Sequence, residues 1–549
     1  MTFKPEIFIQ RLRFSLENIE EKAKAFQLGL NIDAVNTVLN HFEQNPNDLE
    51  INEKLIQHCI LFEQFSLANT LIERARDLFP HEFRFVCLDI ILISLVNDQN
   101  EFFDLISKQL KKFSPVKDID IDFLNQKNNF FSIINFLLDM LEGSTSLPPA
   151  PIDYYLLIFP YDVNTVDIQT KKKYCDHFIK FCNYCGQRDI NKLTNFLALE
   201  NKVNPNKPWY CHIKGKLHWF KHERHQTDYY FRCAKQKIKE ELIEFCSNEA
   251  GVYTWLSVEE TIQFDFKNNC PDLFGLSSWH WHHNTPKNYV PSVSIILGCD
   301  THYFRFFPKF LLSLVKAFEV DNCQTSTVIT LAVDNISSQQ IQFLQETATY
   351  LLQKFPNFYL EFTYGNARYE DGAVFASLRY LIAKDIFQKY TVPTFIFDID
   401  GMIPEDFYQK FHKLKHNNDF SFRLFAFDSK GNQYFTEPWS IGATCTYYGQ
   451  LEITSKILVF MKYYLNHAYS PNNTTNWCID QCALAQAYER YIRPNWKQLR
   501  ITDADKEQIL IFAQHVGSKE EFYRHGGVVD MNNFRERLND EEPPIVTKG

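Results

Sequence analysis

Asp398 and Asp400 stand one residue apart at the end of the apolar run Thr394-Phe395-Ile396-Phe397, and a third acid, Asp406, comes six positions after the second. On an extended backbone, residues two apart share a face, so this spacing sets two carboxylates side by side where a buried strand emerges. Like charges placed there need a cation or hydrogen bonds to stay ionised, and paired hard oxygen donors favour Mg²⁺ or Mn²⁺. Two chemistries use such a claw. In a phosphohydrolase the first Asp attacks a phosphate. In a nucleotide-sugar transferase the acids hold a metal against a diphosphate leaving group. Over this segment alone, a β-turn rich in Asp and Gly would look the same.

The elements before the claw say how it would be positioned. PSVSIILGCD, residues 291–300, predicts a short buried strand, and the helix-like FRFFPKFLLSLVKAFEV comes after it. TVITLAVDN, QQIQFLQETATYLLQKF, NFYLEFTYG and AVFASLRYLIAKDIFQKY then predict strand, helix, strand and helix ahead of TFIFDID. Such alternation implies an α/β domain with a mostly parallel sheet and helices on its faces. Ligands bind beyond the carboxyl ends of the strands in these sheets. Asp300, Asp334, Asp398 and Asp400 all fall at those ends, so the acids are expected to share one crevice.

The chain has 549 residues, too many for one ordinary core, and should divide into two to four units. Apolar residues at 45% and aromatics at 16% can cover several cores. A net charge of −10 argues against nucleic acid as the main partner, because phosphate contacts need a basic face, but leaves a nucleotide open. The first residues, MTFKPEIFIQRLRFSLENIEEKAKAF, are interrupted by charge, and no run approaches the ~20 apolar residues of a membrane span. The expectation is a cytoplasmic protein with no transmembrane segment. The 14 cysteines form no compact framework, and Cys59 and Cys87 lie in apolar helical patterns, as reduced thiols used as small hydrophobes would. The sequons at Asn472 and Asn473 are accordingly expected to carry no glycan.

The first half reads as helical. In INEKLIQHCILFEQFSLANTLIERARDLFP, Leu55, Cys59 and Phe62, then Ala68, Leu71, Ile72, Ala75 and Leu78, fall at helical intervals before Pro80. The Ala68, Ala75, Pro80 spacing resembles the second helix of a tetratricopeptide repeat, and SKQLKKFSP, ending at Pro115, is a weaker echo. A generic helical bundle fits the same pattern. The division expected from these patterns is a helical, TPR-like domain over 1–145, a linker and mixed aromatic-rich region of unclear fold over 146–285, the α/β domain over 286–535 and a polar acidic tail over 536–549. EGSTSLPPAPID, residues 142–153, has linker composition. Within the middle region, Cys182 and Cys185 form a CxxC, but the second pair of a zinc site is missing and the segment fits a helix with core cysteines. His280, His282 and His283 read as a surface loop, and His218, His222 and His225 as solvated.

Two families share parts of this pattern. DIDG after an apolar strand resembles the first motif of the haloacid dehalogenase phosphohydrolases, which would make Asp398 the nucleophile and Asp400 the acid/base. That family usually opens its catalytic domain with the motif and supplies a later acidic pair of the GDxxxD kind, whereas here strand-helix units precede it and Asp503 and Asp505 lack that pattern. Residues 291–525 resemble the nucleotide-sugar glycosyltransferases of GT-A fold, in the retaining group that includes glycogenin and the bacterial lipopolysaccharide galactosyltransferases. ILGCDTHYF supplies the first-strand Asp300 and Tyr303, with His302 where Asn is usual, and FASLRYL supplies Arg379. DIDGMIPED matches the metal motif at Asp398, Asp400 and Asp406. WSIGATCTYY offers Ser440 and Gly442 where the family has Asn-Ala-Gly, NWCIDQCALAQAY supplies Asp480 and Gln481, and IFAQHVGSKEEF gives His515, Gly517 and Lys519 at closer spacing than usual.

That resemblance implies a GT-A, Rossmann-like domain behind the helical one, and a metal-dependent glycosyltransferase, with a hexosyltransferase favoured and a retaining outcome. It implies Mn²⁺ or Mg²⁺ held by Asp398, Asp400 and His515, and a nucleotide-sugar donor, with a UDP-sugar favoured, bound by Asp300, Arg379, Asp398 and Lys519. Asp480 and Gln481 take the catalytic place. The acceptor would be a polypeptide or bacterial surface glycan, bound with help from the helical domain. Other readings of single residues stay open. Arg379 could simply pair with Asp398, and Asp300 or Asp480 could cap a helix. The departures at His302, Ser440 and the His-Lys spacing also leave open a nucleotide-binding scaffold without turnover.

Overall fold

A computed structural model of the chain describes residues 32–92 (except 62–63, 81, 83–84, 86–87 and 90–91), 163–512 (except 165–166, 267–269 and 428–432), 519–524 and 529–539. Cys87, Pro115, the 142–153 stretch and His515 lie outside them. The chain forms two compact units, Met1–Pro205 and Asn206–Gly549.

The described part of the first unit is helical: α1 (Ile32–Gln44), α2 (Leu49–Leu61), α3 (Phe65–Leu78), α4 (Ile168–Arg188) and α5 (Ile190–Val203). The helical periodicity of 51–80 produces α2 and α3, which bury Leu55, Cys59, Ala68, Leu71, Ile72 and Ala75 in one core with Leu39 and Phe42 of α1. Arg74 ties α3 to α2 and to the turn between α1 and α2, donating to Asn52 Oδ1 at 2.9 Å and to the Pro46 carbonyl at 2.7 Å. The Asp167 side chain caps α4 by accepting from the Gln169 and Thr170 amides. Cys175, Cys182 and Cys185 are all buried along that helix, and burial pushes the Cys185 thiol up. Among the described residues, no group of three or more His, Cys, Asp or Glu side chains is placed to hold a metal ion.

The second unit opens with α6 (Pro208–Phe220) and α7 (Arg224–Glu241). Gly215 lets them close together, since a Cβ there would fall 2.5 Å from the Phe231 ring. Trp209, Trp219, Trp255 and Phe231 fill the space around them, all essentially buried. Hydrogen bonds join this layer to segments much later in the chain. Trp439 Nε1 donates to the Asn248 carbonyl at 2.9 Å, and Tyr464 Oη donates to the Thr254 carbonyl at 3.0 Å. A cut at Pro286 would therefore pass through a shared core. His218 is largely buried, bonded to Glu223 and stacked on Tyr230, while His225 is exposed.

The sheet supports the site. Its strands are β1 (His280–His282), β2 (Val293–Asp300), β3 (Thr327–Asp334), β4 (Phe358–Gly365) and β5 (Thr394–Phe397), then β7 (Phe420–Leu424), β8 (Ile441–Tyr448) and β9 (Ile501–Asp503). A separate pair is formed by β6 (Gly401–Met402) and β10 (Ile511–Phe512). The order across the eight-stranded sheet is β1-β4-β3-β2-β5-β8-β7-β9. The β4-β3-β2-β5 run is parallel and β8 is antiparallel to both its neighbours. The alternation read from 291 onward is present as β2, α8 (Phe307–Val320), β3, α9 (Ser338–Lys354), β4, α10 (Gly372–Tyr390) and β5. Beyond β5, α11 (Phe407–Asn417) precedes β7 and α12 (Leu451–Ala468) succeeds β8. Nearly every residue of β2 and β3 is buried, as strands covered on both faces require. The chain order makes β2-β5 the place where the winding direction changes, which is where such sheets leave a crevice. β1 departs from the loop read for the 280–283 histidines. It is an edge strand on β4, held by cross-strand ring contacts such as His282 on Phe362 at 4.7 Å. Among the described residues no helix is long and apolar enough to cross a membrane.

Candidate active site

A cavity of about 540 Å³ opens at the carboxyl ends of β2 and β5 and is lined by Asp300, Arg379, Asp398, Asp400, Asp480, Gln481 and Lys519. The seven come from β2, α10, the turn after β5, α13 (Ile479–Ala487) and α14 (Lys519–Arg524). Of the residues singled out from sequence as site residues, only His515 lies outside the described part of the chain.

The claw differs from the strand geometry that its spacing suggested. β5 ends at Phe397, and 398–400 form a turn. The Asp398 amide donates to the Thr444 carbonyl of β8 at 2.8 Å, and both side chains still line the cavity. The crowding expected of two adjacent carboxylates is resolved by giving each its own cation. Arg379 Nη1 makes a close ion pair with Asp398 Oδ1, while Lys519 Nζ lies 2.6 Å from Asp400 Oδ2. Asp406 stands apart at the start of α11, half exposed and paired with Lys410 at 2.9 Å.

Arg379 is the hub of the site. Gly298 of β2 makes its position possible, because a Cβ there would fall 2.6 Å from the Arg379 amide nitrogen and push α10 off the sheet. The guanidinium is 3% exposed, and besides Asp398 its Nη2 reaches Asp480 Oδ2 at 3.2 Å and the Ala443 carbonyl at 3.3 Å. Burial works against its charge, but Asp398 and Asp480 outweigh it and hold the guanidinium above its ordinary value. Asp398 is pushed up to about 6 by burial, with Arg379 opposing and the Asp400 and Asp480 charges adding to the rise. Burial also raises Asp480, again against Arg379. Asp480 is not the cap of its helix. Cys478, in the left-handed region at φ 65°, takes that place, and Asp480 Oδ1 accepts from the Gln481 amide at 2.8 Å.

Lys519 opens α14, and its Nζ also donates to Tyr303 Oη at 3.0 Å. Burial disfavours its charge, but Asp400 and Tyr303 hold its pKa above the ordinary lysine range. The helix carrying it is fastened at the other end by buried Lys309 of α8, which donates to the Phe522 and Tyr523 carbonyls at 3.0 and 2.9 Å. Asp300 caps the turn after β2, accepting from the Tyr303 amide at 2.7 Å, and it also lines the cavity.

Sequence reasoning passed over several lining residues, three of them with large side chains. Arg423 of β7 is held by Asp505 at 2.8 Å and stacks over Phe425 at 4.6 Å; only its place in an apolar strand, FSFRLF, marked it as unusual. Phe375 looked like one more apolar position of α10, and Trp477 carried no signal beyond its closeness to Asp480. Two carboxylates facing a cavity are a donor set that fits a hard divalent cation.

By sequence, no family model matches the chain and no curated protein matches it. Among solved structures, similarity is found to the apo form of the bifunctional glycosyltransferase WbbM, at TM-score 0.30 and 12% identity over 47% of this chain and 51% of that one. It is also found to the glycosyltransferase GlyE of Streptococcus pneumoniae TIGR4, at TM-score 0.28 and 13% identity over 46% of this chain and 61% of that one. The matched part thus spans about half to three fifths of the length of those structures.

Proposed function

We propose that the second unit is a metal-dependent glycosyltransferase that moves a hexose from a nucleoside-diphosphate sugar to a polypeptide or glycan acceptor, with retention. The observation carrying this reading is the convergence of Asp398, Asp400 and Asp480 with Arg379 and Lys519 on one cavity at the carboxyl end of a mostly parallel sheet. Asp398 and Asp400 would hold Mn²⁺ or Mg²⁺ with His515, and the ion when bound supplies Lewis-acid stabilisation of the diphosphate.

The residues then divide the work. Asp300 and Tyr303 receive the nucleoside, and Lys519, beside Asp400 at the cavity wall, supplies its ammonium to the diphosphate. The bond between the anomeric carbon and the phosphate oxygen breaks with its electron pair leaving on that oxygen. The acceptor hydroxyl oxygen bonds to the carbon on the same face, and its proton goes to the departing diphosphate. Lys519 and the positive edge of Arg379 stabilise the growing charge. Asp480, fixed by Arg379 and by the Gln481 amide, orients the sugar hydroxyls together with the Gln481 side chain rather than acting as a free nucleophile.

The test is incubation of the full chain with a panel of UDP- and GDP-sugars, with Mn²⁺ and then with excess chelator. Nucleoside diphosphate released from at least one donor only in the presence of metal is the expected result. Donor binding without release would favour a scaffold, and phosphate release from phosphomonoesters without sugar turnover would favour the dehalogenase-like chemistry at Asp398.

A further inference from the structure

The polar groups of the cavity form a chain of contacts with two distinct ends. Asp300 accepts from the Tyr303 amide, the Tyr303 hydroxyl meets Lys519, and Lys519 meets Asp400. Two residues back, Asp398 pairs with Arg379, which reaches Asp480 at 3.2 Å. Trp477 belongs to the Asp480 end. It lines the cavity and remains 50% exposed.

A single exposed Trp is ordinary. This one sits on a turn locked on both sides. Asn476, 5% exposed, donates to Asp371 Oδ2 at 2.9 Å and to the Ser470 carbonyl at 3.0 Å, and its own carbonyl accepts from the Ile479 amide at 3.2 Å. On the other side, buried Cys478 holds a left-handed backbone that a residue with a side chain rarely adopts. A left-handed, hydrogen-bonded turn that sets an indole into the lining of a cavity beside charged groups is a built feature. Phe375 of α10 lines the same cavity, and the Gln481 side chain adds an amide donor and acceptor.

A flat apolar ring beside amide and carboxylate groups complements one ligand class especially well. A pyranose has an apolar C–H face to lay on the indole and a rim of hydroxyls for the polar groups. We propose that Trp477 is the platform of an acceptor subsite that takes a hexopyranoside, so that the acceptor is a glycan and not a bare polypeptide. The assignment rests on the donor lying as proposed above, with its nucleoside at the Asp300 end and its diphosphate at Lys519 and Arg379. The sugar being transferred then faces the Asp480 end, and the acceptor enters past Trp477.

Two measurements on the full chain test it. In saturation-transfer NMR with methyl glycosides of glucose, galactose, mannose and N-acetylglucosamine, at least one glycoside should receive saturation at its ring C–H protons. That signal should fall at least fivefold in Trp477→Ala and persist in Trp477→Phe. With whichever donor the chain consumes, Trp477→Ala should raise KM for that glycoside at least tenfold, with Trp477→Phe restoring it and the KM for donor not changing with it. The inference is overturned if no glycoside shows a Trp477-dependent contact, if the loss falls on the donor's KM, or if only a Ser/Thr peptide accepts sugar. A Trp477-dependent glycoside contact in a protein that consumes no nucleotide sugar would leave the subsite standing and sink the transferase proposal instead.

Discussion

The second unit holds two buried charge clusters of similar chemistry and opposite situation. At the cavity, Arg379 bridges Asp398 and Asp480 while Lys519 meets Asp400. Under the helical layer, Lys216 of α6 lies 3.4 Å from both Glu249 and Glu437, and Glu249 also meets His212. Lys216 and His212 are fully buried, and the His212 ring is walled by Phe231, Phe245 and Trp439. Each cluster offsets the cost of burying one ion by placing others against it. The sealed cluster joins segments 221 residues apart, Lys216 to Glu437, and keeps the Lys216 ammonium and the His212 ring away from solvent. The cavity cluster leaves the carboxylates Asp398 and Asp400 at a surface a ligand can reach. Burial of charge is common to both, so it cannot by itself mark a functional site; a reachable face can.

The largest effect separating them should be on turnover. Asp400→Asn is expected to lower metal-dependent sugar release by about 10²–10³-fold, as loss of a charge-stabilising group does. Because Lys519 is about half exposed, the same change should move stability by under ~1 kcal/mol. Initial rates with Mn²⁺ and a denaturant titration on the same preparation measure both, and normal turnover would take Asp400 out of the chemistry. Asp398→Asn should lose turnover too, but without a cost in stability above about pH 6, because burial makes the ionised Asp398 carboxylate net unfavourable in the fold even beside Arg379.

Next in size, Lys216→Met should destabilise the second unit by about 3–5 kcal/mol, since it strips Glu249 and Glu437 of a buried cation. Its kcat at a temperature where it stays folded should match the parent. A lower kcat in fully folded protein would show that the sealed cluster communicates with the cavity.

The clusters should also respond to pH with opposite slopes. Asp398 is pushed up to about 6, so between about pH 4 and 6 the folded chain keeps a proton that the unfolded chain has lost. Stability from this group therefore falls as pH rises through that window. Burial lowers the His212 pKa, so below about pH 6.5 the unfolded chain takes up a proton that the folded chain refuses, and stability from this group falls as pH drops. Denaturation midpoints from pH 4.5 to 7 should show the first slope removed in Asp398→Asn and the second in His212→Gln. The smallest expected effect is that of Asp406→Asn, under ~0.5 kcal/mol and with unchanged turnover, because its half-exposed pair with Lys410 lies outside the cavity. A marked loss of metal-dependent rate would restore Asp406 to the motif.

What the sequence determined by itself was local and periodic. Helical spacing set α2 and α3, and continuous apolar runs set β2 through β5 with their intervening helices, because burial on one or both faces leaves its period in the residues. The same pattern put Asp300, Asp398 and Asp400 at strand ends, and Arg379, Asp480, Gln481 and Lys519 were picked out by their likeness to a motif series. Only the tertiary structure decided which of these groups touch. Arg379 meets Asp480 101 residues away, and Lys519 meets Tyr303 216 residues away. It also decided that residues 206–262, unreadable as a fold of their own, cover the α/β part through Trp439 and Tyr464. Trp477 gave no sign of its place because the turn that carries it is held by Asn476 bonding Asp371, 105 residues away. The physical reason is the same in each case: periodicity records whether a side chain faces a core, whereas a contact between distant segments depends on where the whole chain brings them.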